Sequence, residues 1–177
     1  GHDNEPEGDF ASGDGTQNNP YVIANTTHIQ NMSKVLIGKQ TTYFVLSADI
    51  DMQGIKWTPL NGDGPYEKWI IFDGRNHVIR NLTCDSGSYP SFFGVLCGEC
   101  KNVGFVDANI SSTNQGIGII AGYVGLNSGA VGFTGKIINC YTTGILKGSG
   151  AAGGIGVSSA VMDVLRTAIP LLLLLIR

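Results

Sequence analysis

Asp73, Arg75 and His77 fall within five positions in the stretch FDGRNHVIRNL. A carboxylate, a guanidinium and an imidazole so close together could transfer protons or hold an anion. The same residues also read as a turn. Asp73-Gly74 is a tight-turn dipeptide between two apolar runs, WIIF and HVIRNL, and Asn76 suits that turn. In this reading Asp73 holds backbone N–H groups and His77 is a half-exposed strand residue, which accounts for every residue in the cluster. Asp85 and Asp107 are a second candidate pair, with Arg80 and Lys101 nearby. Carboxylates on stacked strands ~4.8 Å apart approach the separation of a retaining glycosidase pair. Opposite charges on neighbouring strands are equally the mark of a solvated ladder. Asp49, Asp51 and Asp63 are spaced loosely and fit no calcium-loop pattern. Cys97-Gly-Glu-Cys100 has CxxC spacing, but Cys84 and Cys140 are too far apart to complete a zinc site. The motif lies in a glycine-rich stretch and does not open a helix, so structural cysteines are expected, with no metal, cofactor or catalytic residue. Tyr66, Trp69, Tyr89 and Tyr123 are candidates for sugar stacking, with packing in the core or in turns as the alternative for each.

The composition sets limits on what these residues can serve. Charged residues make up 14% of the 177-residue chain, against roughly 25% in an average domain. Glycine accounts for 26 residues, about twice its usual ~7% share. Hydrophobic residues at 42% exclude general disorder. A net charge of −3 without a Lys/Arg cluster excludes a nucleic-acid partner. The length suits one domain. It divides into a flexible acidic leader over 1–12, a β domain over 13–157 and an apolar tail over 158–177.

A short strand is expected at Tyr21–Ile23. One amphipathic helix follows over about 26–37, because Ile29, Met32, Val35 and Leu36 recur at helical spacing behind a cap at Asn25, Thr26 or Thr27. Beyond residue 42 the period shortens, and two kinds of segment alternate three times. IRNLTC, CKNVGFV and IINCYTT carry an asparagine between apolar residues; SFFGVLCG, GIGIIAGYVG and AAGGIGV are centred on glycine. Units this short cannot bury an apolar face alone, and stacking them makes a β-solenoid. Asn81, Asn102 and Asn139 would then share one corner as an amide ladder, since asparagine tolerates left-handed backbone. Leu82, Val103 and Cys140 would point inward, and Arg80 and Lys101 outward.

The tail SSAVMDVLRTAIPLLLLLIR suggests a helix over 160–168, capped by Ser158 or Ser159 and ending before Pro170. Asp163, Arg166 and Pro170 argue against a membrane span. Leu171–Ile176 would cover the open end of the solenoid or associate with a second copy.

The ordered pieces GTQNNPYVI, HIQNMSKVL, YFVLSADIDM, WTPL, FDGRNHVIRNL and SFFGVLCGECKNVGFVDANI resemble the GLUG-motif repeat proteins of Bacteroidetes and other gut bacteria. The resemblance covers residues 13–157. Asn76 departs from it, standing where glycine is usual, and so does the tail. It implies a right-handed parallel β-helix on an exported or surface-anchored, adhesin-like protein with no established catalytic residues. The expected function is therefore a non-catalytic extracellular module that recognises a host glycan or protein. A β-helix polysaccharide lyase or glycoside hydrolase, and a structural spacer, are the alternatives.

Overall fold

Left-handed residues mark the points where this chain bends, and the strands between them carry the apolar alternation. The computed structural model describes residues 9–113, 117–125, 134–148 and 155, and the backbone of 152–153, 157–158 and 173–176. In chain order the elements are β1 (Tyr21–Ile23), α1 (Thr26–Val35), β2 (Thr41–Leu46), β3 (Ile50–Asp51), β4 (Trp69–Arg80), β5 (Thr83–Cys84) and β6 (Phe93–Ser112). Then come β7 (Ile117–Gly118), β8 (Ala121–Val124), β9 (Gly135–Ile138), β10 (Tyr141–Gly148), β11 (Ala152–Gly153), β12 (Val157–Ser158) and β13 (Leu173–Ile176). The fold is mainly β, and every pairing between these strands is parallel. The main sheet runs β1-β2-β4-β6-β10-β13 and does not close.

Parallel neighbours require the chain to cross back between strands. Here β2 supplies one neighbour of β4, from Thr41↔Trp69 to Val45↔Asp73, and β6 supplies the other, from Trp69↔Cys97 to Arg80↔Val106. β6 bends at Gly98 (φ +123°), Asn102 (φ +55°) and Asp107 (φ +57°). Its successive parts pair with β8, with β4 and β9, and with β10. The inward residues make one core, in which Phe44, Phe72, Phe92, Phe93 and Phe105 are fully buried. Removing each such side chain from water contributes roughly 1.5–3 kcal/mol.

Asp73-Gly74 does not close a hairpin. Gly74, Arg75 and Asn76 stand opposite Asn102 alone, as a bulge inside the continuous strand β4. Asp73 Oδ1 accepts the Arg75 N–H (2.9 Å), while Arg75 (φ +49°) and Asn76 (φ +66°) take left-handed backbone. A side chain at Gly74 would place its Cβ 2.4 Å from the Cβ of Val103, so close packing demands glycine here.

At the N-terminal end, Ala11 and Ser12 bond antiparallel to Val22, and Phe10 stacks on Tyr21 at 4.3 Å. The last residues of the expected leader are therefore docked on β1. Helix α1 lays Ile29 and Met32 into the core, and Asn25 caps it by accepting the His28 N–H (2.9 Å). The tail helix expected over 160–168 lies outside the described residues. Leu173–Ile176 is a strand, in parallel register with Gly144–Lys147 of β10.

His28 is buried, and its Nδ1 accepts the Ala24 N–H (3.0 Å), so that nitrogen must be unprotonated. Burial holds the imidazole below its ordinary value of 6.5. As pH falls through 6.5 the unfolded chain takes up its proton first, so stability held above that pH is lost toward the lower folded value. Urea unfolding at about pH 7 and about pH 5 should show this loss, and His28→Gln should remove that part of it. An unchanged pH dependence in His28→Gln would contradict the assignment.

Candidate functional site

Period-2 alternation in β2, β4, β6 and β9 turns one set of side chains inward and the other out. The outward set forms columns across the strands: Thr41 beside Trp69, and Tyr43, Ile71, Glu99 and Lys136 in successive register. A third column holds Val45, Asp73, Lys101 and Ile138. Between the first two columns lies an open hollow of about 340 Å3, lined by Thr41, Trp69, Ile71, Gly98, Glu99, Thr134 and Lys136. Trp69 and Ile71 supply apolar surface. Lys136 is the register partner of Glu99, and Lys101 Nζ is 3.8 Å from Glu99 Oε2.

The other three predicted aromatics gather next to this face. Tyr66 and Tyr89 have ring centroids 6.0 Å apart, and Tyr89 and Tyr123 meet edge to face at 5.0 Å. Burial, then a hydrogen bond to Tyr89, pushes the Tyr66 phenol above its ordinary value of 10.0. The Tyr66 carbonyl lies 3.6 Å from the thiol of Cys97, whose register partner is Trp69. Tyr66, Tyr89 and Tyr123 thus form one aromatic cluster. The tyrosines pack mainly on one another, and Trp69 walls the hollow.

The predicted carboxylates do not converge. Asp107 follows Val106, the partner of Arg80, and takes the same left-handed bend as Asn81 (φ +58°). Asp85 follows Cys84, whose partner is Ile110, so it lies farther along the strand, away from Asp107. The single column of three asparagines is corrected for a related reason. Asn139 Nδ2 donates to Asn102 Oδ1 (2.8 Å) and Asn102 Nδ2 to Asp73 Oδ1 (3.1 Å), so these two share a column ending at Asp73. Asn81 belongs to another bend and donates to Asp51 Oδ1 (2.9 Å). The bulge after Asp73 occupies the place that a third amide would have taken.

His77 has a partner that sequence reading missed. Its Nδ1 is 3.1 Å from Asp49 Oδ1, which also accepts the Val78 N–H (3.0 Å). That backbone bond, with help from His77, holds the Asp49 carboxyl below its ordinary value of 3.8. This arrangement fixes an imidazole by Nδ1 and leaves Nε2 for another partner. Cys84, Cys97, Cys100 and Cys140 are all free thiols and buried, and burial pushes Cys97 up to about 11. Burial likewise raises Cys84 and Cys100, which leaves these three poor nucleophiles at neutral pH, whereas a hydrogen bond from Cys100 lowers the Cys140 thiol. No helix among the described residues is long and apolar enough to cross a membrane.

Tyr43, Glu99, Lys136 and the two threonines of the hollow were not singled out from sequence. Alternation in KWIIF places Trp69 and Ile71 on one face, but which strands flank them depends on register.

No family model matches the sequence. A crystal structure from Bacteroides ovatus, described as "a putative immunoglobulin A1 protease", is 53% identical and superposes with a TM-score of 0.82 over 90% of this chain and 47% of that one. Halomucin of Haloquadratum walsbyi is 26% identical over 159 residues, which are 81% of this chain and 2% of that protein. A "Putative Gly-rich membrane protein" of Evansella cellulosilytica is 30% identical over 138 residues, 58% of this chain and 15% of that protein. The chain therefore spans about half the length of the Bacteroides structure and a small part of the other two. The Bacteroides likeness overturns the expectation of a non-catalytic module, because it points toward an enzyme.

Proposed function

We propose that this chain is a right-handed parallel β-helix of the GLUG-repeat type, forming the substrate-engaging part of a larger exported proteolytic protein. In this reading β2, β4, β6 and β9 are rungs of one coil, and their outward face holds the substrate, an immunoglobulin or similar host protein. The observation that carries the proposal is the 53% identity to a Bacteroides protein named for cleavage of immunoglobulin A1. Parallel register throughout the main sheet supports the coil, and the open hollow beside Trp69 supports engagement. A spacer would leave that hollow without an occupant. The lyase and glycoside-hydrolase alternatives lose their motive once Asp85 and Asp107 lie apart.

Biolayer interferometry with immobilised chain tests the proposal. Saturable binding of immunoglobulin A1 is expected, and Trp69→Ala should weaken it at least ~10-fold, equivalent to about 1.4 kcal/mol, with an unchanged thermal midpoint. No binding, or equal binding by Trp69→Ala, would overturn it.

A further inference from the structure

We infer that the hollow beside Trp69 is a subsite for a neutral pyranose ring of a glycan, an inference that rests on substrate engagement at this face. Its size, about 340 Å3, falls at the lower end of the ~300–1,000 Å3 range of small-ligand clefts. That suits one or two sugar rings better than a folded protein loop. One wall is the indole of Trp69, flanked by Ile71. An aromatic face of this kind covers the C–H face of a sugar and withdraws both apolar surfaces from water.

The polar lining decides the charge of the guest. Glu99 only accepts hydrogen bonds, Lys136 only donates, and the hydroxyls of Thr41 and Thr134 do both. A sugar hydroxyl can donate to Glu99 while accepting from Lys136, so adjacent ring hydroxyls match this set. Glu99 and Lys136 are register partners of opposite sign, and Lys101 lies 3.8 Å from the same carboxylate. A carboxylate-bearing sugar would enter beside Glu99, and an ammonium-bearing one beside Lys136. Each charged guest meets a like charge that a neutral ring does not. Gly98 contributes backbone alone to the lining. Residues outside it serve other purposes: the Asp49–His77 pair ties two segments together, and the tyrosines fill each other's surfaces.

Tryptophan emission reads the site directly. Trp57 is buried against Phe92 with its Nε1 bonded to the Phe92 carbonyl (2.9 Å), so a surface ligand acts on Trp69. Titration of the full chain with methyl β-galactoside and N-acetylgalactosamine should shift the emission saturably at millimolar concentration. Trp69→Phe should remove the signal, and Glu99→Gln should weaken binding at least ~5-fold, with circular dichroism and thermal midpoint unchanged. Galacturonate and galactosamine should bind at least ~5-fold more weakly than the neutral sugars. The inference is overturned if neither neutral sugar binds, if a charged sugar binds as tightly, or if Glu99→Gln leaves the titration unchanged. Intact and glycosidase-treated immunoglobulin A1 separate the two levels. Equal, Trp69-dependent binding of both would overturn the sugar subsite and leave the proposed function standing, whereas loss of both would remove the function itself.

Discussion

Gly98→Ala is expected to lower stability by roughly 3–5 kcal/mol, enough to unfold a marginal domain. Gly98 lies in β6 at φ +123°, backbone that side chains rarely adopt, and an added Cβ would sit 2.1 Å from the Ile70 carbonyl oxygen. Ile70 is itself buried and pairs in register with Gly98, so the neighbouring strand cannot withdraw without opening the core. Gly54→Ala separates the two components. Gly54 also has a positive φ (+80°), but no atom lies within 4 Å of its added Cβ. It should lose only the backbone strain, about 1–2 kcal/mol. Urea unfolding of both variants measures the difference, and equal losses would contradict the close approach of β4 and β6 at Gly98.

Phe92→Ala should cost about 3–5 kcal/mol through lost contacts and the cavity left behind. The Phe92 ring stacks on Trp57 at 4.8 Å and also meets Phe93 at 4.8 Å, Phe105 at 5.2 Å and Phe72 at 5.6 Å. Trp57, Phe72 and Phe105 lie far from Phe92 in the chain or across a bend from it, so one truncation loosens contacts between several segments. Phe92→Leu keeps most of the volume and should cost less than half as much. The midpoint of urea unfolding should move with little change in slope, and the Trp57 emission should shift to the red in Phe92→Ala. A loss under about 1 kcal/mol would mean that the core is not packed around this ring.

The parts of the fold legible in the sequence were those set by local chemistry. Asn25 followed by Ile29 and Met32 marks a capped amphipathic helix, and Thr26–Val35 is that helix. Asn81, Asn102 and Asn139 mark left-handed bends, and all three have positive φ. Leu82, Val103 and Cys140 after them are buried, as apolar residues following a bend should be. Column membership was not legible. It depends on how many residues each bend consumes, and Gly74–Asn76 opposite Asn102 shifts everything downstream of Asp73. Asp49 and His77 are 28 residues apart and meet only once β4 has its register. The hollow needed four strands placed together, so Trp69 could be named in advance while Glu99, Lys136 and Thr134 could not.

Hydroxyl-radical footprinting of the chain with bound immunoglobulin A1 reports most directly whether the Trp69 face is the one that engages substrate. Trp69 and Tyr43 lie on that face, whereas Tyr141, half-buried and ranged over Gly104, is paired with a different part of β6. Oxidation of Trp69 and Tyr43 should fall several-fold on binding while that of Tyr141 stays unchanged. Protection of Tyr141 with Trp69 still fully oxidised would place the substrate elsewhere and contradict the proposed function.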